Sequence, residues 1–261
     1  TAPILLFDSG VGGLTVLAAL RTVLPQAPVI YAADTAGLPY GKKTEAQIAA
    51  RVAGLLGVLT ERYKPRLATI ACNTASTIAL GMVREVLAIP IVGTVPAIKS
   101  AAALTRSGTI GLLGTQATIR QGYVDWLEAE FAGDKRLIRH AAPALVEAAE
   151  AKLRGERVEP SSIEGAVAGL RAKAGGAEID TVVLACTHFP LLADELRAVF
   201  GSSVQLVDGA DGIARRIAWL TQGQAFERVD PDFAVFTGEP DRSAAFAASL
   251  RARGLERIHR L

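Results

Sequence analysis

Short apolar runs alternate with amphipathic stretches along the whole chain. Residues 3–7, 29–32, 67–71, 91–93, 109–113, 136–140, 181–185, 204–207 and 233–236 read as strands. Between them, apolar positions recur at helical spacing over 14–24, 45–63, 75–87, 97–105, 119–131, 144–154, 162–173, 191–200, 212–220 and 242–253. Strict alternation of this kind predicts an α/β protein with mostly parallel sheets flanked by helices. The strand runs are apolar on both faces, as sheets covered on both sides require.

A faint repeat runs through the pattern. Ile4-Leu5-Leu6-Phe7-Asp8-Ser9-Gly10 is a strand entering a polar turn, and Ile110-Gly111-Leu112-Leu113-Gly114-Thr115-Gln116 has the same form. Further on, Thr69-Ile70-Ala71-Cys72-Asn73-Thr74 matches Val183-Leu184-Ala185-Cys186-Thr187-His188 at a similar offset. Two matched offsets point to duplicated halves. Each half supplies one polar turn and one cysteine.

The chain has 261 residues, enough for two domains of roughly 100–150 residues each. Its 28 basic and 26 acidic residues are interspersed and leave a net charge of +2. That argues against a nucleic-acid or polybasic membrane surface. The basic tail from Arg251 to Arg260 reads as a solvated helix face. No apolar run approaches the roughly 18 residues of a spanning helix, and the first residues form a strand, with no basic region or cleavage site. A soluble cytoplasmic protein is expected.

The chain's 2 cysteines are too few for a disulfide framework. The bland reading makes each a small buried hydrophobe. Their placement favours another: both follow an apolar strand and precede a polar residue and a helix. Ligands in open α/β sheets bind beyond the carboxyl ends of strands. A helix N-terminus there favours thiolate, and a thiol pKa of about 8.5 suits proton transfer near neutrality. Racemisation removes a Cα proton from one face and returns one to the other, so two opposed thiols suit it.

The other motifs sharpen or close alternatives. Asp8-Ser9-Gly10-Val11-Gly12-Gly13 reads as a helix cap with glycines for a tight turn. Gly10 and Gly12 fit the start of a dinucleotide fingerprint, but Thr15 stands where it needs Gly or Ala. Gly37-Leu38-Pro39-Tyr40-Gly41-Lys42-Lys43-Thr44 falls one residue short of the P-loop spacing. Asp8 is left to meet an ammonium group or orient a thiol, and turn N–H groups to hold carboxylates. His188 reads as a tuner or relay beside Cys186. The 3 histidines and 2 cysteines show no zinc spacing. A Cys/His hydrolase would use one thiolate and one histidine and give the second cysteine no role. A non-catalytic amino-acid-binding protein of the periplasmic type would call for a signal segment.

These residues resemble the cofactor-independent aspartate/glutamate racemase family. The matching stretches are Phe7-Asp8-Ser9-Gly10-Val11-Gly12-Gly13-Leu14, Asp34-Thr35-Ala36 with Pro39-Tyr40-Gly41, Ala71-Cys72-Asn73-Thr74-Ala75-Ser76, Gly114-Thr115 with Thr118, and Cys186-Thr187-His188 with Pro190-Leu191-Leu192. The first block looks like the glutamate type, with an aspartate racemase as the alternative. The resemblance implies two similar pseudo-twofold-related domains with the substrate between them, 1–96 plus 208–261 and 97–207. It implies Cys72 and Cys186 as the proton-transfer pair, Cys72 acting on D-glutamate and Cys186 on L-glutamate. Asp8 is expected near Cys72, and Glu147 and His188 near Cys186. Asp8, Ser9, Tyr40, Gly41, Asn73, Thr74, Thr115, Thr118, Thr187 and His188 are the implied substrate contacts. Neither pyridoxal phosphate nor a metal is implied. The implied role is D-glutamate supply for peptidoglycan, by a homodimer.

One stretch departs from the family: Val92-Gly93-Thr94-Val95-Pro96-Ala97 keeps the proline of an I-E-P-like segment and lacks its acid, so hinge or dimer contacts are expected to differ. The long N-terminal extension of some activator-dependent members is absent here, which speaks against a required precursor activator.

Overall fold

The computed structural model describes residues 2–261. In chain order the elements are β1 (Ile4–Asp8), α1 (Leu14–Val23), β2 (Val29–Ala33), α2 (Glu45–Tyr63), β3 (Leu67–Ile70), α3 (Asn73–Val86), β4 (Ile91–Gly93), α4 (Ile98–Leu104), β5 (Thr109–Gly114), α5 (Gln116–Ile119) and α6 (Gly122–Phe131). There follow β6 (Arg136–Ala141), α7 (Ala144–Leu153), α8 (Pro160–Arg171), β7 (Thr181–Ala185), α9 (Ala193–Phe200), β8 (Gln205–Val207), α10 (Ala210–Leu220), β9 (Asp232–Phe236), α11 (Ala244–Arg251) and β10 (Leu255–Arg260). No helix among the described residues is long and apolar enough to cross a membrane.

The chain divides into two compact units. One holds the residues up to Thr94, Leu153–Gly155 and Ala210–Leu261; the other holds Val95–Lys152 and Glu156–Gly209. The first is built on a six-stranded sheet in the order β10-β9-β2-β1-β3-β4, the second on a four-stranded sheet in the order β6-β5-β7-β8. Every strand pair in both is parallel. The run β2-β1-β3-β4 and the run β6-β5-β7-β8 have the same order, so the sequence repeat is a repeat of topology. β1 corresponds to β5, and β3 to β7.

Burial follows from the apolar runs. β1, β2, β3, β5 and β7 are buried at every position, and each fully buried Leu, Ile or Val contributes about 1.5–3 kcal/mol. In the first unit, Leu5, Phe7 and Ile70 pack against Ile48, Val52, Leu56 and Leu59 of α2, together with Ala75, Ala79 and Val83 of α3. In the second, Leu113, Val182 and Leu184 pack against Ile163, Val167 and Leu170 of α8, while Ile110, Leu112 and Val183 meet Val124 and Leu127 of α6. Helix α2 begins with a reciprocal cap between Thr44 and Gln47, a device that stabilises a helix by about 1 kcal/mol.

The tail differs from its reading as a solvated helix face. Helix α11 ends at Arg251, and Leu255–Arg260 forms the edge strand β10, parallel to β9. Only Leu255 of β10 is buried; the five residues after it are exposed. Charged side chains on an edge strand discourage pairing with other chains, and that charge density imitates a helix surface. The long helical reading over 119–131 also breaks, at Arg120 and Gln121, into α5 and α6.

Candidate active site

Strand register places the cysteines. Phe7 lies opposite Ile70, so the chain leaving β3 reaches Cys72 level with Ser9. Gly114 lies opposite Ala185, so the chain leaving β7 reaches Cys186 level with Thr115. Both thiols are buried and neither is in a disulfide.

Cys72 is the N-cap of α3: its Sγ accepts from the Ala75 N–H at 3.5 Å. The free N–H groups and macrodipole of that helix end favour negative charge on the sulfur. Ser9 Oγ lies 3.4 Å from Cys72 Sγ. Ser9 is held by Asp8, whose carboxylate accepts from the Ser9 N–H at 2.6 Å and the Ser9 hydroxyl at 3.3 Å. The other Asp8 oxygen accepts from the Gly13 N–H and closes the turn. The Tyr31 hydroxyl ties the same loop from β2, donating to the Gly10 carbonyl at 2.7 Å.

Asn73 and Thr74 form the first turn of α3, both buried. Among the described residues, Asn73 Oδ1 has no hydrogen-bond partner. A buried amide oxygen without a donor is costly. Tyr40 and Gly41 sit in the 3₁₀ turn Tyr40–Lys42. Tyr40 is buried in the core cluster that contains Cys72, and its hydroxyl donates to Asp34 at 2.5 Å. Burial, and then the Asp34 charge, raise its pKa far above the ordinary phenol range.

In the second unit the surroundings of the thiol are different. Cys186 Sγ is 3.9 Å from His188 Nδ1, and His188 Nε2 is 2.8 Å from Glu150 Oε1 on α7. Burial lowers the imidazole's proton affinity, yet the contacts with Cys186 and Glu150 outweigh it and hold the pKa well above the usual histidine value. Thr187, next to both Cys186 and His188 in sequence, is buried. Thr115 caps α5, its Oγ1 accepting from the Thr118 N–H at 3.1 Å, and the two threonine hydroxyls are 3.0 Å apart. Among the described residues no group of three or more His, Cys, Asp or Glu side chains is gathered to hold a metal ion.

The two strand-end thiols thus occupy equivalent places in matched halves, each with its own polar set. The Asp/Glu/Hydantoin racemase family model matches residues 15–217. A glutamate racemase of Sphingopyxis alaskensis is 62% identical over 258 residues, 98% of this chain and 96% of that one. A glutamate racemase of Salmonella typhimurium is 48% identical over 85% of this chain and 78% of its own length. The crystal structure of Escherichia coli glutamate racemase, in complex with L-glutamate and the activator UDP-MurNAc-ala, superposes with a TM-score of 0.92 at 40% identity, covering 100% of this chain and 98% of that one. The chain belongs to the Asp/Glu/hydantoin racemase family. It is therefore an isomerase.

Within this racemase, Asp8, Ser9, Tyr40, Asn73 and Thr74 gather on the elements around Cys72, with Gly41 beside Tyr40. Thr115 and Thr118 share one helix end, and Thr187 and His188 follow Cys186 directly. Glu147 is the exception. It is exposed on α7, and the carboxylate that meets His188 belongs to Glu150. Glu147 was expected near Cys186 only on the resemblance; it lies one turn before Glu150 on the same helix, with its side chain exposed. Four contributors were missed: Glu150, Tyr31, and the Asp34 partners Arg51 and Thr237. The acid pair Glu147 and Glu150 was the available signal for the first. Nothing in the sequence ties Thr237 to Asp34.

Proposed function

We propose that this racemase interconverts L- and D-glutamate by 1,1-proton transfer at Cα, with Cys72 and Cys186 as the two acid–base groups. The Cys72 thiolate removes the Cα proton from one enantiomer, and the C–H electron pair passes into the adjacent carboxylate group. The Cys186 thiol then delivers its proton to the opposite face of Cα, leaving Cys186 as thiolate and Cys72 as thiol. The reverse reaction begins from that state. Cys72 acts on D-glutamate and Cys186 on L-glutamate. Asp8 holds Ser9 against Cys72, and Glu150 holds His188 toward Cys186. The product serves as D-glutamate for peptidoglycan in the cytoplasm.

The observation that carries this reading is the equivalent placement of the two thiols, each just past the second strand of a matching neighbouring pair, β1/β3 or β5/β7. A hydrolase needs one thiolate; duplication of the position is what a two-sided transfer needs. The buried Asn73 Oδ1 adds an acceptor suited to an ammonium group.

The test is incubation with L- or D-glutamate in D₂O, without added cofactor, following optical rotation and Cα deuteration. Racemisation with solvent deuterium entering the product is the expected result. Cys72→Ser and Cys186→Ser each abolish full turnover. A single mutant that racemises at the wild-type rate in both directions defeats the two-thiol mechanism, and faster labelling of aspartate than of glutamate defeats the substrate assignment.

A further inference from the structure

The Asp34 carboxylate is fully buried just past the end of β2. Arg51 of α2 grips it at two points, from Nε at 2.5 Å and from Nη2 at 2.6 Å. Thr237, just past β9, donates its hydroxyl at 2.5 Å. The Tyr40 hydroxyl is the fourth donor, also at 2.5 Å. An ionised carboxylate offers about four acceptor positions, so the group is fully satisfied. Burial works against its charge, but these hydrogen bonds prevail and hold the pKa below the ordinary carboxylate value.

Backbone bonds lock the same junction. The Thr237 N–H donates to the Ala33 carbonyl at 3.1 Å. The Ala36 N–H donates to Thr237 Oγ1, and the Gly238 N–H to Thr35 Oγ1, both at 3.1 Å. Gly37 leaves room for the ion pair: a Cβ there would run into the Asp34 carboxylate and the Arg51 guanidinium. A residue just past β9, at |i−j| = 203 from Asp34, thus holds the segment that carries Tyr40 and Gly41.

We propose that Arg51, Asp34 and Thr237 are positioning residues: a clamp that fixes the 35–43 segment so that Tyr40 and Gly41 meet a carboxylate of the substrate. The proposal rests on the glutamate reading above. The clamp's side-chain bonds run among Asp34, Arg51, Thr237 and Tyr40, so its loss falls on substrate binding before it falls on proton transfer. A bidentate arginine does this better than a lysine, whose ammonium keeps the charge and loses the fork.

The experiment combines two readouts on the full chain, for Thr237→Val, Arg51→Lys and Arg51→Ala. Amide hydrogen exchange reads the segment without substrate; initial rates with L- and D-glutamate read its consequence. Expected are faster exchange across 35–43 with β1 and β3 still protected, and a KM raised about tenfold for both enantiomers with kcat held within about threefold, Arg51→Lys lying between wild type and Arg51→Ala. Thr237→Val keeps the side-chain shape and carries the test if Arg51→Ala does not fold. Unchanged exchange over 35–43 overturns the clamp. Faster exchange with unchanged KM, or a loss confined to kcat, overturns its role in substrate binding. Failure of the glutamate reading shows separately, as wild-type protein that does not racemise glutamate.

Discussion

Glu150 Oε1 lies 2.8 Å from His188 Nε2, while the opposite nitrogen of the same ring faces Cys186 Sγ at 3.9 Å. The carboxylate fixes the ring and favours its protonated form, and that charge faces the sulfur. Glu150→Gln keeps the size and removes the charge. Expected is a fall in kcat of about tenfold to a hundredfold, greatest in the direction that starts from the Cys186 thiolate. Glu147→Gln, on the exposed side of α7, changes rates by less than about twofold. Initial rates from each enantiomer separate the two; a larger loss in the Glu147 variant would show that the wrong carboxylate has been chosen.

The same contacts set a pH dependence of stability. His188 holds its proton above the ordinary pKa of about 6.5. Its contribution is therefore complete below that value and is lost as pH rises through the folded-state pKa. Wild type should exceed His188→Gln by about 1–3 kcal/mol at pH 5.5–6, with the gap closing toward alkaline pH. Denaturant unfolding across that range gives the comparison; a gap that grows with pH contradicts the assignment.

Gly13 offers a test of the Asp8 turn. A Cβ there would stand 3.0 Å from Asp8 Oδ2 and 3.1 Å from the Cβ atoms of Asp8 and Ala71. These contacts are tighter than normal packing, and the neighbours that must yield are the residue holding Ser9 and the residue before Cys72. Gly13→Ala is expected to cost about 1–3 kcal/mol of stability and to lower kcat more than it raises KM. Full activity with lowered stability would detach the turn from the chemistry.

The parallel α/β layout was legible because strands buried on both faces write themselves as continuous apolar runs; Leu67–Ile70 and Thr181–Ala185 are examples. The repeat was legible for the same reason, since it preserves strand and turn. What failed was information held between elements. The tail was misread because β10 buries only Leu255 and shows its charged residues to solvent. Glu147 came from the resemblance alone, and the sequence shows that 144–154 is a helix but not which of its acids turns toward His188. Arg51 and Thr237 were invisible because their contacts with Asp34 span |i−j| of 17 and 203, with no local pattern to mark them.

Asp180 provides a control that leaves the site alone. It stands just before β7, and its carboxylate accepts from the Thr105 hydroxyl at 2.6 Å and from the Arg106 and Ser107 N–H groups, both at 2.7 Å. Burial is the largest single influence and opposes the charge, but the hydrogen bonds together prevail and bring the pKa to about 2. Because the folded value is depressed, the contribution is present above the unfolded value of about 3.9 and is lost as pH falls through about 2. The group is partly exposed, so solvent screening limits its worth; Asp180→Asn is expected to cost about 1 kcal/mol near pH 7. That cost should shrink between pH 4 and pH 2, and KM and kcat at neutral pH should not move, since the bonds tie the α4–β5 turn to the start of β7, away from Cys186 at its other end. Unfolding curves at pH 7, 4 and 2, alongside kinetics at neutral pH, decide it: an undiminished cost at pH 2 rules out the charged carboxylate as its source.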